Sequence, residues 1–162
     1  FFEVLNNSGA ASASADSFSV DYATTAESYM AIAKQYSETA VGNTSYFMAA
    51  SAYLNAGDFA NAKSAIEKFE EVEGDFGKHM NAMALTLKGD IAVEEKDYQT
   101  AAANFEKALA ASANADIYGQ NAHKLGLVYE AMGDKAKAQK IYKDAVTKYP
   151  ELAIALGKYI ME

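Results

Sequence analysis

A chain of 162 residues with 34 alanines, one proline, no tryptophan and no cysteine has the size and composition of one helical domain. Without cysteine, disulfides, thiol catalysis and sulfur-ligated metal sites are excluded. The formal net charge of −8 disfavours nucleic acid and anionic membrane surfaces as partners, and with all 14 basic residues lysine, arginine's bidentate grip on phosphate or carboxylate is missing.

Residues 1–8, FFEVLNNS, read as the end of a helix that stops at Gly9 in a left-handed cap. Residues 9–19 are nearly all Gly, Ala and Ser, which predicts a flexible linker, so 1–19 stand apart from a domain over 20–162. Asp21 is the predicted N-cap of the next helix, in which Tyr22, Ala26, Tyr29, Ile32, Ala33 and Tyr36 form one apolar stripe. ESYMAIAKQYS at 27–37 aligns with KIYKDAVTKYP at 140–150, which makes this helix the second half of an incomplete repeat over 20–40. The uncharged stretch 39–57 has the length of a membrane span. Its Gly42, Asn43, Thr44, Ser45, Ser51 and Asn55, with alanine as its main apolar residue, make it a helix of the stack instead.

One pattern then recurs: GDFANA at 57–62, KDYQTA at 96–101 and GDKAKA at 133–138, with starts 39 and 37 residues apart. Seven residues before each start lies a small residue, Ala50, Gly89 or Gly126; nine after lies a large one, Ile66, Phe105 or Tyr142. A period in this range, built from two helical patterns and a tight turn, predicts an all-α, right-handed superhelical stack of helical hairpins. The repeats run over about 43–73, 78–112 and 115–149, with loops near 71–77 and 111–117. A last helix over 151–161, carrying Leu152, Leu156, Tyr159 and Ile160, caps the open end. Gly57 and Gly133 supply the positive φ of the turn inside each hairpin. Lys96 replaces that glycine in the middle repeat at a cost of about 1 kcal/mol, so its turn is expected to differ slightly.

Over roughly 20–150 this layout resembles the tetratricopeptide repeat family. The small and aromatic positions above and Pro150 carry the resemblance; AHKLGLVYEAMGDKAKAQKIYKDAVTKYP, at 122–150, fits it best. The first repeat departs in having Ala49-Ala50 where the family prefers Leu-Gly. The incomplete leading repeat and the KYI-containing tail are also similar to bacterial envelope proteins with one N-terminal membrane anchor ahead of a periplasmic repeat domain. That resemblance implies an envelope location and an anchor upstream of Phe1.

No chemical constellation stands beside the repeat. The two histidines, His79 and His123, lie on different hairpins, there is no HExxH, and the glycines form no phosphate loop. The acids Glu70, Glu71, Glu73 and Asp75 lack the ligand grammar of a calcium loop. The sequence therefore predicts neither an enzyme nor a cofactor or metal. Lys135, Lys137, Lys140, Lys143 and Lys148 make the last hairpin basic, while the first 58 residues hold only Lys34.

In the resembling fold the first helices of the hairpins line a concave groove. The register then names Phe47, Ser51 and Leu54, then Met83, Thr86 and Asp90, then His123, Leu127 and Glu130 as groove residues, with Phe47, Met83 and Leu127 as apolar anchors. Some family members clamp a C-terminal carboxylate with lysine and asparagine; here those positions hold Phe47, Ser51 and Gln120, and Lys124 alone keeps a positive charge, which argues against a clamp. The leading expectation is a non-enzymatic module that binds a peptide or partner protein. The alternative is a homo-oligomeric scaffold built by pairing the ends of the stack.

Overall fold

A computed structural model describes residues 20–112 and 114–160. The expected linker over 1–19 lies outside them. The order is α1 (Tyr22–Gln35), α2 (Ala40–Asn55), α3 (Phe59–Ile66), α4 (Gly74–Glu94), α5 (Tyr98–Ala111), α6 (Ala115–Ala131), α7 (Lys135–Lys148) and α8 (Ala153–Leu156), with 3-10 turns at Pro150–Leu152 and Gly157–Tyr159. Among the described residues there is no strand, and neighbouring helices pack as the predicted hairpin stack.

The three turns are built alike. Asp58, Asp97 and Asp134 each cap the second helix of a hairpin, accepting from the backbone N–H of Asn61, Thr100 and Lys137 at 3.1, 3.1 and 3.0 Å. Each also donates its own N–H back to the first helix, at the carbonyl of Tyr53, Ala92 or Tyr129. The bond from the Thr100 side chain holds the Asp97 carboxyl below its usual range; for Asp134 it is the Lys137 N–H. Just ahead of them Gly57, Lys96 and Gly133 have φ of 77°, 61° and 81°. The middle turn thus keeps the shared geometry, with Lys96 held left-handed, because the aspartate cap and the return hydrogen bond fix the backbone on both sides. Lys96→Gly should raise stability by about 0.5–1 kcal/mol, the left-handed cost less glycine's extra backbone entropy. Urea denaturation is the check: the midpoint should rise at constant slope, and a fall would contradict this account of the turn.

Small residues set the spacing inside the hairpins. A Cβ on Gly89 would lie 2.5 Å from the Phe105 ring, and one on Gly126 2.2 Å from the Tyr142 ring. Ala62, Ala101 and Ala138 are wholly buried, and Ile66, Phe105 and Tyr142 fill the space between helices.

Three expectations are corrected. Helix α4 begins at Gly74, inside the expected loop over 71–77, because the segment before it is pinned by side chains instead of turning freely. Asn43 pairs with both backbone groups of Glu70 at 2.8 Å, and Asn81 with both of Val72 at 3.0 Å. The capping helix over 151–161 is broken: Leu152 and Leu156 are buried, but the segment alternates 3-10 and α turns as it bends to reach both α6 and α7. Lastly, the stripe on α1 is only half used. Ala26 and Ala33 are buried against α2, whereas Tyr22, Ile32 and Tyr36 stay exposed, since the packing of α1 on α2 takes up only the small residues of the stripe.

Candidate functional site

The first helices of the three hairpins share one trough of about 350 Å3. Phe47 of α2 closes one side, Met83, Thr86, Leu87 and Asp90 of α4 form the floor, and Ile117 and Gln120 of α6 form the far wall, with His79 at the rim. Its walls are held by side-chain bonds between first helices. Thr86 Oγ1 donates to Asn121 Oδ1 at 2.9 Å, and the fully buried Asn121 donates onward to the Ile117 carbonyl at 2.9 Å. Lys124 Nζ donates to both carboxylate oxygens of Asp90, at 2.7 and 2.6 Å. These two side chains are 22% and 19% exposed, so the pair is largely withdrawn from water. Burial pushes the Asp90 carboxyl above its usual range, and the lysine charge opposes that rise. The lone clamp-like cation is therefore held by an internal carboxylate.

The nine residues named from the register separate. Met83, Thr86 and Asp90 line the trough and are half-buried. Phe47 borders it, but only 8% of it is exposed and its ring meets Phe69 at 6.2 Å, so it holds the hairpin together as well. Ser51 is half-buried on α2. Leu54 and Leu127 are 8% and 5% exposed, and their expected role as groove residues is corrected to packing. Leu54 joins the core that runs from Phe47 to Ile91, and Leu127 is buried between the buried Gly126 and Val128 of α6. His123 and Glu130 belong to a different place, beneath the C-terminal segment. The His123 ring stands 4.7 Å from that of Tyr159, and Glu130 accepts from the Tyr142 hydroxyl at 3.2 Å.

Sequence reasoning missed His79, Leu87 and Ile117, and met Gln120 only as a clamp position. The signal was present: His79 precedes Met83 by one helical turn, and Gln120 precedes His123 by three residues. The trough extends one turn further toward the helix starts than the family register implied. Among the described residues, no three His, Cys, Asp or Glu side chains converge to hold a metal, and no helix is long and apolar enough to cross a membrane.

Comparison with known proteins bears on the fold. Residues 80–151 match a family model for the tetratricopeptide repeat, and residues 44–76 match a second model of the same repeat. The fold is similar to a crystal structure of MamA, with a TM-score of 0.66 and 20% identity over 86% of this chain and 77% of that one. A second crystal structure of MamA protein gives 0.54 and 20% identity over 84% and 81%. Identity at that level speaks for shared architecture alone. No curated protein matches. Repeated turns with one geometry, small residues under large ones at fixed offsets and two matching repeat models lead to one conclusion: the chain belongs to the tetratricopeptide repeat family.

Proposed function

We propose that this protein is a non-enzymatic interaction module whose trough receives a segment of a partner protein. The observation that carries the reading is the trough itself, an apolar floor with a polar rim drawn from three successive hairpins. Met83, Leu87 and Ile117 would grip an apolar side chain, and Thr86, Gln120 and His79 would meet the partner's polar groups. Asp90 is already bound to Lys124, so it shapes the trough more than it attracts cations. With a net charge of −8 and no arginine, the protein should prefer a neutral or basic segment to a phosphorylated or acidic one. An array of peptides that differ only in charge tests this, and preferential retention of phosphopeptides would overturn it. An envelope setting with an upstream membrane anchor is part of the proposal. It rests on the sequence resemblance; localisation in intact cells by protease accessibility is its test.

A second reading, assembly of copies end to end, has its own observation. On and beside α1, Val20, Tyr22, Ile32 and Tyr36 are exposed, and toward the other end Ile154 is 95% exposed. Apolar side chains exposed toward both ends of the stack are what head-to-tail pairing of copies would cover. Light scattering over a range of concentrations separates the readings. Growth in mass that Ile154→Glu abolishes favours assembly, and a constant monomer mass removes it.

A further inference from the structure

The C-terminal segment after α7 is a strap laid across α6 and α7, and its seat is specific. Leu152 sits on Gly119, where an added Cβ would come within 2.6 Å of its Cδ2. Leu156 is buried beside it, and Gln139 Nε2 donates to the Tyr159 carbonyl at 2.6 Å. The Tyr159 ring closes over His123 at 4.7 Å and Tyr142 at 5.3 Å. Between strap and α6 lies a cavity of about 420 Å3, bordered by Asp116, Gln120, His123 and Lys158. Gln120 also lines the trough, so its side chain stands between the two spaces. Beneath Tyr159, His123 Nε2 is buried with no hydrogen-bond partner among the described residues.

We propose that residues 150–160 form a releasable strap, latched by neutral His123 under Tyr159 and opened when that histidine takes up a proton. The groups facing it from each element favour this sign. Lys124 on its own helix and Lys158 on the strap are both cations; Lys135 of α7 lines the neighbouring recess. Of the carboxylates among the described residues lining these spaces, Asp90 of α4 is held by Lys124, Glu130 accepts from Tyr142 of α7, and Asp116 stands at the cavity mouth. Burial first, then Lys158 and Lys124, lowers the His123 pKa. A group with a lowered folded-state pKa and a neutral folded form gives stability that is present above histidine's ordinary value of about 6.5. That stability is lost as pH falls through the lowered value. Opening would uncover Gly119 and the Tyr142 edge and lengthen the trough past Gln120. The latch does not depend on what the trough binds.

Hydrogen exchange of the full chain, read on peptides covering 150–160 at about pH 7.5 and about pH 5.5 and corrected for intrinsic rates, tests the latch. The wild type should lose protection several-fold at the lower pH. His123→Phe, which keeps a stacking ring and cannot titrate, should stay protected at both. Tyr159→Ala should be unprotected at both while α6 and α7 keep their protection. Protection that does not change in the wild type, or falls equally in His123→Phe, overturns the proposal. Should His123→Phe not fold, wild-type NMR decides instead: the His123 and Tyr159 ring signals must shift with one midpoint, and separate midpoints overturn the latch.

Discussion

Gly126→Leu should destabilise the protein by about 3 kcal/mol or more. The Cβ alone would stand 2.2 Å from Cε1 and Cζ of Tyr142 and 2.5 Å from its hydroxyl oxygen. That ring has nowhere to go: Tyr142 is wholly buried, its hydroxyl donates to Glu130, and Tyr159 lies against it. Relief therefore requires α7 to move away from α6, which opens the core from Ala92 to Leu156. His79→Ala is the matched control. Its side chain is exposed at the trough rim and should change stability by less than about 0.5 kcal/mol. Urea denaturation followed by helical circular dichroism measures both, and equal effects would mean the hairpin register is misassigned.

Lys124→Met should cost about 2–4 kcal/mol, because it leaves the Asp90 carboxylate withdrawn from water without its cation; the low end reflects the pair's residual exposure. The sign with pH is the sharper check. Burial already raises the Asp90 pKa with Lys124 present, and removing the lysine removes what opposes the rise. A carboxyl raised above its unfolded value contributes stability that is present below that value and lost as pH rises through the folded one. The deficit of Lys124→Met should therefore shrink on acidification and largely vanish in the double variant Lys124→Met, Asp90→Asn. A deficit independent of pH would mean that Lys124 acts through packing, for instance its approach to the Phe105 ring at 6.0 Å.

Much of the fold was legible because each repeat restates one physical solution. Gly57 and Gly133 announced the turns, and Gly89 against Phe105 and Gly126 against Tyr142 announced the helix contacts. The shared turn at Lys96 could not be read from propensity, since the Asp97 cap and the return bond to the Ala92 carbonyl overrule the local preference. Side-chain brackets such as Asn43 on Glu70 and Asn81 on Val72 join residues 27 and 9 apart, and no periodicity encodes them. Of the residues named from the register, Met83, Thr86 and Asp90 lie along the trough, while Leu54, Leu127, His123 and Glu130 do not line it. Register gives the side of a helix a residue lies on, but not how far the neighbouring helix closes over it. Leu127 was lost to burial, and His123 to a strap whose path depends on Gly119 accepting Leu152.

Partners are proposed to bind in the trough between the first helices. Site-specific photocrosslinking tests this most directly, with a benzophenone side chain placed at Gln120 or His79, both exposed on the trough, and at Lys143, exposed on α7. Gln120 and His79 should capture the same partner, and Lys143 should not. Capture from Lys143 with none from the trough positions would contradict trough binding and make the basic last hairpin the docking surface.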